Sequence, residues 1–574
     1  MVINNLIQNI PKGTLIRLIG DDVYESIELY CDLIDIENDI SLSDIVIKRF
    51  ADDLLINFKN EVLKNIILFI DGKNLKHLVS EFHEIKSTGD DFRYDLNKLI
   101  KKQFKYSNYD FCNRLLTSLN LEIEKFVFEP KKEVSRDRVG QVNFEYVSNQ
   151  NPYYLLHDFQ KNIKNDALRI LLNSDNSSRV MIHLPTGSGK TKTAMEIICD
   201  FMRSRVLLGG FNVSSKILWL AHSEELCDQA YYSYIDHWTI RGDSPCKVHK
   251  FYGNNILPEK YDNDGNIVIM AGFQKVISGL TGKNIPTRKY LAQFKENVDL
   301  VIVDEAHRSM ATEWCKAIEY FSDNSNTQML GLTATPGRTD VKETEYLAAF
   351  YNSKKVCLMD QLGVPISNPI KYLQDKKVLA KLDYKRLDTE EKFVLSIPEF
   401  ERIKKYGDTS KLRELLFNLS KSPLRNKIII NALIDEYKQN KKVLVFACSK
   451  IHCTVIQSLL MLHNINSEII LSETSKEQRE ISINKFKEKD SDLKILINLG
   501  VLTTGFDAPV INSVLIAKPV FSIVLFSQMV GRALRGPKNQ GNHKNTLITL
   551  NDNIAHGAIE EMFRSFDEIW QEDI

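Results

Sequence analysis

From about residue 150 onward, short runs of β-branched and aliphatic residues alternate with stretches whose apolar positions recur at helical spacing. The strand candidates of the first half are "RVMIHLP" (179–185), "KILWLA" (216–221), "NIVIMAG" (266–272), "DLVIVDE" (299–305) and "TQMLGLTAT" (327–335). A second series follows with "KKVLVFACS" (441–449), "SEIILS" (467–472), "LKILINLG" (493–500), "INSVLIA" (511–517) and "TLITL" (546–550). Continuous apolar runs between helices predict parallel sheets covered on both faces. Between the two series, roughly 371–420 is charged, with long helical patterns and few strand signals. Residues 1–145 read as mostly helical: "LSDIVIKRFADDLLINFKNEVLKNIILFI" sets Lys, Glu and Asp between helically spaced apolar positions. The charged "EPKKEVSRDRVGQ" (129–141) reads as a linker. The expected fold class is α/β, with two tandem parallel-sheet domains behind a mostly helical N-terminal domain. Its expected divisions are 1–145, 146–350, a connector with a helical insertion at 351–425, and 426–574.

Composition narrows the function only slightly. A chain of 574 residues exceeds one ordinary core, and 43% hydrophobic with 26% charged residues fits a soluble globular protein. Lys+Arg and Asp+Glu stand at 75 each, so net charge gives no sign of a polyanionic partner. Any nucleic-acid contact has to come from local patches or backbone amides. The nine cysteines include no CxxC pair; Cys448, His452 and Cys453 come nearest to metal-ligand spacing. Zinc wants four ligands, so buried free thiols in a reducing cytosol are the expectation. No apolar stretch approaches the ~18 residues of a membrane helix, and "MVINNLIQNIPKG" has no basic leader or signal-like core. The expected location is cytoplasmic, with no membrane partner.

Chemistry concentrates at two strand ends. In "HLPTGSGKTKTA" (183–194), Gly187 and Gly189 let the backbone curl so that its amides face inward, at the start of a helix. Lys190 brings a point charge to β and γ phosphates, and Thr191 a hydroxyl to magnesium. A general phosphate loop has a further glycine where this chain has Leu184. About 115 residues downstream, "VDLVIVDEAHRSM" ends an apolar strand in Asp304 and Glu305. Ligands of open parallel sheets bind beyond the carboxyl ends of the strands. One acid there can hold magnesium while the other positions or deprotonates a water. Arg532 and Arg535, three residues apart, fall on one face of a helix; by themselves they read as an exposed basic turn.

Taken in order, these segments resemble a superfamily 2 helicase of the DEAH type, over residues 150 to 555. "LLHDFQ" (155–160) is similar to the segment whose glutamine, here Gln160, reads adenine. "LPTGSGKT" resembles the first motif of that superfamily, where the first glycine is often absent. The likeness assigns nucleotide binding to Thr186, Gly187, Ser188, Gly189, Lys190 and Thr191, and magnesium to Thr191 and Asp304. "LAHSEELCDQA" (220–230) and "MAGFQK" (270–275) resemble backbone-contacting motifs, and "LTATP" (332–336) the coupling motif, with Thr333 and Thr335. "VLTTGFDAP" (501–509) implies Gly505 and Asp507 beside the nucleotide, Asp507 near its ribose. "QMVGRALRG" (528–536) implies that Gln528, Arg532 and Arg535 face the γ-phosphate from the opposing domain.

The resemblance implies RecA-like domains, ATP and Mg2+ as cofactors, Glu305 as catalytic base, and a helicase or translocase activity on nucleic acid. "GFDAP" followed by "AKPVFSIVLFSQMVGRALR" looks most like the restriction-enzyme motor branch (ResIII-like), which favours DNA over RNA. DNA repair and antiviral defence are both compatible with it. Residues 1–145 carry no nuclease signature and are a candidate docking region for a protein partner. The chain stops soon after the last motif, which counts against an RNA-splicing type of role. An ATP-gated switch that remodels a complex without processive unwinding, and an RNA helicase, are the alternatives.

Overall fold

Valine, isoleucine and leucine dominate the interior strands, and helices cover both faces of each. The computed structural model describes residues 11–35, 41–46, 72–82, 85–105, 142–143, 156–172, 178–209, 213–323, 326–334, 341–389, 395–406, 410–503 and 509–552. The first sheet holds β1 (Val142–Asn143), β2 (Arg179–His183), β3 (Lys216–Ala221), β4 (Cys246–Phe251), β5 (Asn266–Gly272), β6 (Leu300–Asp304), β7 (Gln328–Thr333) and β8 (Lys355–Val356). Their spatial order is β1-β4-β5-β3-β6-β7-β2-β8, parallel throughout except that β1 runs antiparallel to β4. The second sheet is wholly parallel. It holds β9 (Lys381–Asp388), β10 (Val443–Phe446), β11 (Ser467–Ile470), β12 (Ile495–Asn498), β13 (Ser513–Ile516) and β14 (Lys544–Asn551), in the order β11-β12-β10-β13-β14-β9.

Every position of β3, β5, β6 and β7 is buried, as continuous apolar runs require. Serines start many of the covering helices. Ser223, Ser422, Ser449, Ser475 and Ser522 each accept a bond from the backbone N–H three residues on, a cap worth about 1 kcal/mol.

Four strands escaped the hydrophobic pattern, the two-residue β1 and β8 and the longer β4 and β9, and all sit at or next to sheet edges. β4 interrupts its apolar positions with Lys247, His249 and Lys250. β9, "KLDYKRLD", lies in the segment expected to be a connector with few strand signals, yet pairs along all eight residues with β14. Edge strands carry charge to discourage further pairing, and that charge hides them in a sequence. β8 also comes from that segment, so it supplies one outer strand to each sheet.

The N-terminal residues are helical where described: Lys12–Ile19, Asp21–Ile34, Gly72–Glu81 and Gly89–Lys105. Ile19, Val23, Ile27 and Tyr30 recur at steps of three and four and share one core with Ile429, Leu433, Ile456 and Leu459 of the second sheet's helices. Each such aliphatic side chain, fully buried, contributes about 1.5–3 kcal/mol. At the rim, Lys421 Nζ meets Asp22 at 3.0 Å and Glu25 at 2.6 Å, and Tyr30 Oη lies 3.1 Å from His463 Nε2. The linker at 129–141 falls outside the described residues.

Cys448, His452 and Cys453 serve the second core. His452 Nδ1 accepts from the Cys448 amide at 3.1 Å, and its Nε2 lies 3.0 Å from Asn426 Oδ1. Both ring nitrogens are thus spent on hydrogen bonds. Burial pushes the Cys448 thiol up to about 11, which suits a packed thiol rather than a ligand.

Candidate active site

The loop leaving β2 turns tightly before helix Lys190–Gly209. Gly187 and Gly189 have φ of 85° and 86°, a region that side chains disfavour. Ser188 Oγ closes the turn on Pro185 O at 2.6 Å. A Cβ at Gly189 would overlap Gln160 Nε2. Gln160 itself is 2% exposed; its Oε1 accepts from the His157 amide at 2.9 Å and its Nε2 donates to Ser188 O at 3.0 Å. In this structure Gln160 therefore supports the loop from beneath.

β6 lies two strands from β2 and delivers Asp304 and Glu305 to the same sheet end. Lys190 Nζ stands 3.2 Å from Glu305 Oε1 and 3.6 Å from Asp304 Oδ1, all three being largely buried. Burial alone would lower the Lys190 ammonium, but the two carboxylates outweigh it and hold its pKa above the ordinary value. Burial pushes Asp304 up against the pull of Lys190. It acts on Glu305 too, but there Lys190 and His307 win and hold the carboxyl down. The same surroundings thus move the two carboxyls in opposite directions. Its backbone is left-handed, φ 55°, and its N–H donates to Asp304 Oδ1 at 3.0 Å. Such a conformation in a non-glycine residue costs about 1–3 kcal/mol and is held only where the surroundings dictate it. His307 Nδ1 lies 3.3 Å from Thr333 Oγ1 and joins this strand end to the next.

A hard divalent cation fits the oxygens present. Glu305 Oε2 is buried, 3.3 Å from His307 Nδ1 and with no hydrogen bond among the described residues, and Asp304, Glu305 and Thr191 line one cavity of about 430 Å³. Magnesium takes one or two carboxylates and keeps its remaining positions for water and phosphate. Among the described residues no group of three His, Cys, Asp or Glu could hold a metal.

The second domain forms the opposite wall. Thr186 meets Gly531 so closely that a Cβ there would overlap its Cγ2. Arg535 Nη1 and Asn539 Nδ2 both donate to Gly187 O at 3.1 Å. Arg532 lines the cavity, but its Nη2 donates to Thr503 O at 2.9 Å within its own domain. Gln528 lines it too, with a buried Nε2 that has no partner among the described residues. The expectation that Arg532 and Arg535 share a helical face is corrected. The α-helix ends at Val530, Arg532 sits in the 3-10 turn Gly531–Ala533, and Arg535 pairs in a bridge with Leu379. The extended backbone of that bridge aims Arg535 across the cleft. Gly505, Asp507 and Thr335 lie outside the described residues.

Sequence reasoning missed Asn539 and His157. Asn539 also donates to Val378 O at 3.2 Å, and His157 Nε2 lies 3.4 Å from its Oδ1. Both matter through contacts between residues some 380 positions apart, which no local pattern signals.

The family model for the type III restriction enzyme res subunit matches residues 153–338, and that for the helicase conserved C-terminal domain matches 425–537. The chain is similar to the putative ATP-dependent helicase IRC3 of Saccharomyces cerevisiae, 27% identical over 66% of this chain and 49% of that one. It is also similar to the type I restriction enzyme EcoKI endonuclease subunit of Escherichia coli, 23% identical over 62% of this chain and 31% of that one. The match thus spans half or less of each relative. Among solved structures, a fragment of a putative HsdR subunit from Vibrio vulnificus aligns with TM-score 0.47 and 22% identity, over 72% of this chain and 66% of that one.

Proposed function

We propose that this chain, which carries the two core domains of the superfamily 2 helicases, is an ATP-dependent motor that moves along or separates nucleic acid. One observation carries the reading. A phosphate loop, two buried acids and an arginine from the opposing domain converge on one cavity between two parallel sheets.

In the proposed reaction, Lys190 and the inward amides of residues 186–191 hold the β and γ phosphates, and Thr191 and Asp304 hold magnesium. The ion supplies positive charge against the phosphate oxygens. Glu305 accepts the proton of the attacking water, its Oε2 buried beside His307 Nδ1 at 3.3 Å. Arg535 leaves Gly187 O for the γ-phosphate, and Gln528 and Arg532 complete that wall. Fixed guanidinium charge offsets charge on the transferring phosphoryl. Gln160 and Asp507 belong to the base and ribose ends. The divisions at 146–350 and 426–574 are part of the same proposal, as is an interaction role for residues 1–145.

DNA is the favoured polymer, by analogy with the restriction-enzyme subunit among the relatives, and action on foreign DNA is the favoured setting. Eight described cysteines are all free, which supports a reducing, cytoplasmic location; no described helix is long and apolar enough to cross a membrane. The test is ATP hydrolysis across single-stranded, duplex and forked DNA and RNA. Stimulation by DNA above RNA is expected, and no stimulation by any polymer would overturn the reading. Glu305→Gln is expected to keep ATP binding and lose most turnover, about 100-fold; turnover at the unmodified rate would remove Glu305 as base.

A further inference from the structure

Across the cleft mouth, Arg479 Nη1 donates to Glu225 Oε1 at 2.7 Å. Among the described residues this is the only ion pair that joins the domain of the first sheet to that of the second. Glu225 stands in the first turn of helix Glu224–Arg241, which follows β3, and Arg479 in the first turn of helix Lys476–Lys487, which follows β11.

Helix polarity makes the arrangement informative. An acid in the first turn is favoured by the positive N-terminal end of a helix, whereas a cation there is disfavoured. Nothing in its own helix accounts for Arg479. The residue is only 18% exposed, and its Nε is buried with no hydrogen-bond partner among the described residues. A locally unfavourable charge, largely buried, is explained by what it meets on the other domain. Glu225 is 42% exposed, so water and salt screen the pair without removing it.

We propose that Glu225 and Arg479 are positioning residues: an interdomain latch that sets how far the cleft closes, formed by residues outside the cavity lining. Arg535 reaches Gly187 O only when the domains approach, as do Thr186 and Gly531. The latch favours that approach at the mouth. Neither residue touches the cavity wall that receives phosphate. The inference rests on the ATP-motor reading for its effect on turnover, but not for its effect on domain distance.

The experiment therefore reads both. Spin labels at Ile285→Cys and Leu424→Cys, each exposed, report the interdomain distance in a Cys112→Ser, Cys315→Ser background, since Cys112 lies outside the described residues and Cys315 is the one described cysteine not buried. Without added nucleotide, the parent is expected to give one dominant distance. Glu225→Gln and Arg479→Gln should each lengthen or broaden it, and Glu225→Arg with Arg479→Glu should restore it. ATP turnover should fall about three- to fivefold in each single variant, recover in the swap, and become insensitive to salt in the singles. Parent-like distances in both singles would overturn the latch, and so would a swap as broad as the singles. A parent that hydrolyses no ATP but shows the distance coupling would sink the motor reading and leave the latch standing.

Discussion

Lys190 already neutralises Asp304 and Glu305 in this structure, so removing its ammonium leaves two carboxylates together in a buried site. Like charges at that range disfavour each other's ionisation unless a cation intervenes. Lys190→Ala should therefore lose nucleotide binding yet bind Mn2+ alone about tenfold more tightly than the parent, a gain of ~1.4 kcal/mol. Paramagnetic resonance of Mn2+ without nucleotide checks this, and equal affinity would mean that Lys190 does not occupy the cation's place. A second consequence concerns protons. Burial lowers His183, His222 and His249 each to about 4, whereas an unfolded histidine titrates near 6.5. Between those values the unfolded chain binds more protons, so stability falls as pH drops from about 6.5 toward 4. Urea midpoints across that window should decline, and more shallowly in His249→Asn. At this scale the sequence was informative where chemistry is local. The loop of Gly187 to Thr191 and the acids of β6 follow each other along single strands. Asn539 could not be read, because its meaning lies in a carbonyl of the other domain.

Among elements, the interior strands were the legible ones. β3, β5, β6 and β7 are covered on both faces, so their apolar runs are unbroken. β9 alternates exposed and half-buried positions at a sheet edge and reads as polar chain. The turn after helix Ile523–Val530 was misread for a different reason. Spacing of three fits one helical face, but nothing in the spacing reports that the α-helix has already stopped. That turn carries a sharp prediction. A methyl at Gly531 would stand 2.7 Å from Thr186 Cβ, so Gly531→Ala should keep ATP affinity, hold the domains apart and cut turnover by about tenfold or more. Its melting temperature should hardly change, because the overlap is relieved by opening rather than unfolding. A second element-level device ties the exits of β13 and β14 to helix Pro423–Lys438. Arg425, fully buried, gives Nε and Nη2 to the two Asp552 oxygens at 2.7 and 3.0 Å, and Nη2 also to Ala517 O at 2.6 Å. Asp552→Asn strands that buried guanidinium and should cost about 3–5 kcal/mol, read by chemical denaturation. A loss below ~1 kcal/mol would show the charge to be solvated in another way.

The whole molecule is less evident from its sequence than its parts. Helical spacing in the first hundred residues is plain, but a stripe of Ile19, Val23, Ile27 and Tyr30 does not say which surface it covers. In three dimensions it covers the helices of the second sheet, while β1 lies along β4 of the first. The described N-terminal helices thus lie on one domain, after which the chain crosses to the other and returns. Removing residues 1–105 would bare Ile429, Leu433, Ile456 and Leu459, and such a truncation should aggregate or exchange its amide hydrogens faster across Pro423–Leu462. Unchanged exchange there would mean that the N-terminal helices add nothing to that core. The same route has a consequence in time. A ribosome making roughly 5–20 residues per second releases helix Asp21–Ile34 long before it reaches helix Pro423–Lys438, some 390 residues later. For about 20–80 s each nascent chain carries an oily stripe with its proper neighbour still unwritten. Yield in the cell should thus depend on what shelters that stripe during synthesis, and slower translation should deepen the dependence.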